Sequence, residues 1–351
     1  MAALWEAGRY GDAEKRARQL LQRNKADDAA WKVLGVALAQ RGEHEQAAGT
    51  LGTAWSLRPQ DAEVPRSLAK VYWQQGRHEE ALTTLCQALD LAPTWRRVLE
   101  ELSHMCNRLD RRDVSVSYLY EALRHSPDDM SLTYYTGVLH KERREFNAAI
   151  KLFHKIVDND PYHVLAFNEL GLCEFERGGI EAACAYFRRA NEADPEHASP
   201  YYNHGIVLLD QTDFVGAGEQ FAEAVKRNAS HIDAQFGYVR TLERQNRLAA
   251  AQEALAEAER ELGEHAKLEA VAARLALRGG DADEALRRLN RIDWNELDLT
   301  NYRETLFLAG DIHARLKNVD EAVAAYAEAN SSQAEGRRAQ QFSKRDFLAE
   351  L

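Results

Sequence analysis

Twelve histidines and four cysteines are the residues of this sequence that could hold a metal or act as nucleophiles. A zinc site needs Cys or His ligands at short fixed spacings, or two His one helical turn apart. No CxxC, HxxxH or HExxH occurs. Cys86, Cys106, Cys173 and Cys184 are scattered; they read as reduced thiols packed in helices, which points to a reducing cytoplasm. His140 and His204 fall at core positions, and His44 and His78 lie near turns. Phosphate and acyl chemistry find no foothold either. There is no GxxxxGK[ST] loop, no GxGxxG after a strand and no GxSxG elbow. The pairs Gly178-Gly179 and Gly279-Gly280 sit between helices and are not nucleotide cradles. The expectation is a chain with no catalytic residues, no metal and no cofactor.

Charge narrows the partners. The formal net charge of -11 repels nucleic acids in general unless basic residues gather on one face. No apolar run approaches the ~20 residues that cross a bilayer, so no membrane insertion is expected. Met1 to Tyr10 lacks the basic-then-apolar order of a signal peptide.

The elements that must position any site repeat. Pro59, Pro93, Pro127, Pro161 and Pro195 each lie 34 residues after the last, so one structural unit is copied along the chain. Each unit holds two amphipathic helices, with apolar residues at i, i+3, i+4 and i+7. Small residues recur on the first helix at Gly35, Ala69, Ser103, Gly137, Gly171 and Gly205. A second small ladder, Ala47, Ala81, Ser115, Ala149, Ala183, Ala217, Ala251 and Ala285, lies on the second helix. Large knobs follow at Leu51, Leu85, Leu119, Phe153, Phe187, Phe221, Leu255 and Leu289. Small positions facing large ones predict interlocking layers. Gly42, Gly76, Gly178 and Gly280 supply the turn between the two helices, and Asp110-Arg111-Arg112 replaces it in the third unit. Ser126-Pro127, Asp160-Pro161 and Asp194-Pro195 read as helix caps.

The first complete unit reads Trp31-x2-Leu34-Gly35-x2-Leu38, then Ala47-x3-Leu51, Ala54 and Pro59. It resembles the tetratricopeptide repeat (TPR) pattern, W-x2-L-G-x2-Y, then A-x3-F, then P. The resemblance runs over nearly the whole chain. It implies an all-α fold, an α-solenoid of stacked helix-turn-helix hairpins forming a right-handed superhelix. The expected organisation is an N-terminal half-repeat over 1–27, eight consecutive units over 28–299 and a ninth unit over 303–336. Residues 337–351, with Phe342 and Phe347, then form a capping helix or a linker.

The resemblance also implies where a ligand goes. In the TPR family the first helix of each unit lines an inner groove that holds extended peptides. The fifth positions of successive units read Lys32, Arg66, Glu100, Tyr134, Asn168, Tyr202, Phe236 and Ala270. Aromatic area beside amides that can pair with an extended backbone marks Tyr134, Tyr135, Asn168, Tyr202, Asn203 and Phe236 as the expected peptide site. The ninth and thirteenth positions add Lys70, His104, Arg108, Arg240, Arg244, Arg274 and Arg278, which would attract a carboxylate, phosphate or sulfate. No three adjacent units supply the Lys/Asn/Asn/Lys/Arg clamp with which some TPR proteins hold a chaperone's C-terminal carboxylate. The expected function is a scaffold binding a protein or peptide in this groove. Alternatives are a self-assembling solenoid, an acyl- or sugar-binding sensor, and the substrate-recruiting arm of a larger enzyme. The last rests on Leu308-Ala309-Gly310-Asp311-Ile312-His313, Asp320-Glu321-Ala322 and Ala325 to Asn330. These residues resemble the final repeat of bacterial TPR–sulfotransferase fusions.

Overall fold

A computed structural model describes residues 10–331. Among these residues there are helices and no strand. The chain divides into two compact units, Met1–Asp158 and Asn159–Leu351.

The first unit opens with α1 (Tyr10–Arg23). Four hairpins follow, each a first and a second helix: α2 (Asp28–Gln40) with α3 (His44–Leu57), α4 (Glu63–Gln74) with α5 (His78–Leu91), α6 (Arg96–Arg108) with α7 (Arg112–His125), and α8 (Met130–Glu142) with α9 (Phe146–Asn159). The second unit holds α10 (Val164–Glu176) with α11 (Ile180–Ala193), α12 (Ala198–Asp210) with α13 (Phe214–Arg227), α14 (Ile232–Arg244) with α15 (Leu248–Leu262), and α16 (Ala266–Arg278) with α17 (Ala282–Leu289). A 3-10 turn (Trp294–Glu296) leads into α18 (Leu299–Arg315), and α19 begins at 319. The slip in phase near Trp294 has a local cause. Asp298 accepts from the backbone N–H groups of Thr300 and Asn301, so α18 starts ahead of residue 303. Phe342 and Phe347 lie outside the described residues. Within each unit consecutive helices stack as antiparallel pairs, an α-solenoid with no central core.

The small and large ladders interlock by size. A Cβ added at Gly137, Gly171 or Gly205 would stand 2.6–2.7 Å from the ring of Phe153, Phe187 or Phe221. All three rings are fully buried. Where the first helix carries Ala69 or Ala273 instead, the knobs sharing the same core are the smaller Leu85 and Leu289. In the third hairpin Ser103 and Ser115 meet through their hydroxyls at 2.8 Å, and Ser115 also donates to the Ser103 carbonyl at 2.7 Å. That keeps two buried polar groups satisfied in an apolar layer.

The turn inside each hairpin requires a left-handed residue. Gly42, Gly76, Gly178 and Gly280 have φ between 75° and 89°, and Asp110, Arg144, Thr212 and Asn246 hold the equivalent position with φ between 58° and 61°. The prolines do something other than the caps expected of them. Ser126 and Asp194 are the C-cap residues of α7 and α11, both out of the helical region. A residue before proline is pushed out of the helical region, so the preceding helix stops there. Asp160 and Asp194 instead accept from the N–H of Tyr162 and Glu196, closing the inter-hairpin turn. The true N-caps come later, at Asp27, Asp129, His163, His231 and His265.

Candidate peptide-binding surface

In the first unit, Tyr134 and Tyr135 stand side by side on α8 with ring centroids 6.1 Å apart. Tyr134 turns inward and lies 5.7 Å from the Phe153 ring. Tyr135 is 61% exposed and, with His104 and Asn107 of α6, lines a cavity of about 620 Å³. The structure thus brings together two residues that the sequence assigned to different sets.

In the second unit Asn168 is 8% exposed, and its Oδ1 accepts from Asn203 Nδ2 at 2.8 Å. Tyr202 is half-buried, with its ring 5.9 Å from Phe221 and 4.7 Å from His231. Burial, with Asp233 next, pushes its phenol above the ordinary value. Phe236 lies under the Arg240 guanidinium at 5.8 Å and lines a cavity of about 10 Å³, room for roughly one water. These four side chains are engaged in hairpin packing as well as facing the first-helix side.

The basic residues are largely met by carboxylates on the first helices of other hairpins. Lys70 shares Glu101 with Arg66 at 2.9 Å and 2.8 Å. Arg240 holds Glu304 at 2.8 Å, and Arg278 holds Glu243. Arg274 reaches Glu304 only at 4.0 Å. His104, Arg108 and Arg244 are exposed. The ninth and thirteenth positions alone could not reveal this, because Glu101, Glu243 and Glu304 occupy other positions of their helices.

The largest of these cavities went unrecognised in the sequence. Between α2 and α4 runs a groove of about 730 Å³, floored by Val33, Val36, Ala39 and Val71 and edged by Lys32, Arg66 and Lys70. Its size is that of an ordinary ligand cleft. Lys32 is fixed by Asp61 at 2.7 Å. Arg66 is 7% exposed. Burial disfavours its charge, but Glu101 and Glu63 outweigh that and hold it above the usual arginine range. The available signal was Val33 and Val36, apolar residues that complete no knob or small-residue ladder.

One constellation has the order of a catalytic triad. Tyr120 Oη lies 2.9 Å from His140 Nε2, and His140 Nδ1 lies 2.6 Å from Glu145. Burial first, and the Glu145 charge second, push the Tyr120 phenol up. That is the wrong direction for a nucleophile, and the contact serves to tie α7 to α8. Among the described residues no cluster of His, Cys, Asp or Glu could hold a metal ion, and no helix is long and apolar enough to cross a membrane.

Three sequence profiles of the tetratricopeptide repeat match this chain. One covers residues 3–62, 137–198 and 202–267, a second 38–100 and a third 304–335. Among solved structures, the C-terminal part of a TPR repeat-containing protein from Cytophaga hutchinsonii matches at 13% identity with a TM-score of 0.59. It covers 67% of this chain and 97% of that one. A tetratricopeptide repeat protein from Parabacteroides merdae ATCC 43184 matches at 15% identity with a TM-score of 0.52, over 70% of this chain and 98% of that one. Such identities carry the fold alone. Comparison with curated proteins gives no match.

Proposed function

Since this chain belongs to the tetratricopeptide repeat family, we propose that it is a protein-interaction scaffold holding an extended segment of a partner against its first helices. The observation that carries this reading is the groove between α2 and α4, where the half-buried Val33, Val36 and Ala39 line a cavity that Lys32, Arg66 and Lys70 also line. Apolar floor for anchor side chains and a polar edge for backbone groups is what an extended peptide needs. Tyr135, beside the α6–α8 cavity, offers a second contact. The amide pair Asn168–Asn203 with Tyr202 and Phe236 offers a third, on the second unit. The net charge of -11 favours a protein partner over a nucleic acid.

A photo-crosslinking residue placed at Val36 tests the groove, with one at Val215, 60% exposed on α13, as the comparison. The expected outcome is a partner adduct at position 36 that is missing at 215 and lost when Val33→Glu is added on the same half-exposed floor. Identical adducts at both positions, or adducts that survive Val33→Glu, would sink the reading. Val33 and Val36, both only partly buried, suit this better than Tyr134, Asn168 or Tyr202, whose truncation would loosen hairpin packing.

A further inference from the structure

On the second unit, α14 and α16 carry Arg240, Arg244, Arg274 and Arg278. Two carboxylates, Glu243 and Glu304, stand among them. Arg278 is fully engaged, donating to the Glu243 carboxylate, to the Glu243 carbonyl at 2.7 Å and to Asn246 at 2.8 Å. Arg240 donates to Glu304 at 2.9 Å. Arg274 is left with the same Glu304 at 4.0 Å, and among the described residues Arg244 makes no ion pair. Burial disfavours the Arg274 charge most, Glu304 opposes that, and Arg240 and then Arg244 add to it, so Arg274 sits below the usual arginine range. Lys267 lines the same small cavity as Arg240 and Arg274 but is already met by Asp233 at 2.6 Å and Asp298 at 3.4 Å.

We propose that Arg240, Arg244 and Arg274 form a binding site for a phosphate monoester. Four guanidinium groups against two carboxylates leave two positive charges unmatched on one face of an acidic chain. A phosphate monoester carries about -1.5 to -2 near neutrality and three strong acceptor oxygens, one for each guanidinium fork. A single carboxylate would leave a charge over, and Glu304 already supplies one. Glu304 in fact occupies the place between Arg240 and Arg274 that a ligand oxygen would take. The Phe236 face beneath Arg240 helps to hold that guanidinium in position.

The site lies on a different unit from the α2–α4 groove, so it stands or falls independently of the peptide reading. Titration calorimetry of the full chain with O-phosphoserine, against acetate at matched ionic strength, tests it. The expected result is binding of phosphoserine and none of acetate. Arg274→Gln should weaken it by about tenfold or more, and the exposed Arg244→Gln should weaken it while leaving the helical signal intact. Glu304→Gln should tighten it, because it frees Arg240 and Arg274; a merely unfolded variant could not do that. Arg58→Gln, on the other unit, should change nothing. Equal binding of acetate, or wild-type affinity in both Arg274→Gln and Arg244→Gln, overturns the proposal, as does Glu304→Gln with no gain. A phosphoserine-containing peptide separates the two sources of such a group. Tighter binding than the free amino acid identifies a modified side chain of a partner, and equal binding identifies a small phosphate ester.

Discussion

Thr212 holds a left-handed backbone at φ 59° in an exposed turn where other hairpins place glycine. A β-branched residue is poorly suited to that conformation. Thr212→Gly is therefore expected to stabilise the chain by about 0.5–1 kcal/mol, the relief of strain exceeding the entropy glycine adds to the unfolded state; urea denaturation reads the change. His204 is 8% exposed, with its ring 6.3 Å from Phe187. Burial, then Arg188, lowers its pKa, and a hydrogen bond involving Gln220 only partly offsets them. The folded state thus favours the neutral ring, while the unfolded chain takes up a proton from about pH 6.5 downward. Below that point the unfolded state binds more protons, so stability falls as pH falls toward the folded value. The midpoint of denaturation should drop between pH 7 and pH 5 in the wild type, and His204→Gln should flatten that slope. Phase located His204 in the core, whereas nothing in the sequence reading singled out Thr212, which has no glycine to mark its turn. Neither the strain at Thr212 nor the titration of His204 was visible there, since both depend on what surrounds the residue.

At the scale of helices, a second-helix knob and the small residue opposite it make a matched pair. Phe187 fills the space that the missing Cβ of Gly171 leaves. Phe187→Ala is expected to cost about 3–5 kcal/mol, because the glycine opposite cannot close the cavity; chemical denaturation measures it, and a loss under about 1 kcal/mol would show that the layers repack. This pairing was legible because both members repeat in phase. The surface was less so. Glu101, held by Arg66 and Lys70, and the Asn168–Asn203 amide pair join residues of neighbouring hairpins, and which partner a long side chain reaches is not a matter of spacing. The proline caps misled for a related reason. A proline marks the end of one helix as readily as the start of the next, and here it marks the end.

Across the whole chain, stability is a sum of neighbouring hairpin contacts rather than the property of one core. The damage from Phe187→Ala should stay local. Hydrogen exchange is expected to quicken over α10 to α13 and to keep wild-type protection over α2 to α5, on the other compact unit. Uniform acceleration would mean that the two units melt together.

The left-handed turn residues carry a consequence for how such a chain can change. At 178, 212 and 246 the backbone passes through the same state at intervals of one hairpin. In genetic terms, an in-frame duplication or loss of one such interval rejoins two ends of matching geometry, and each surviving helix still meets a neighbour of the complementary kind. An event that is not a whole number of intervals breaks the match between knob and small residue. The gene can therefore lengthen or shorten its product in whole steps without inventing a new interface, and each step adds or removes one strip of first-helix surface.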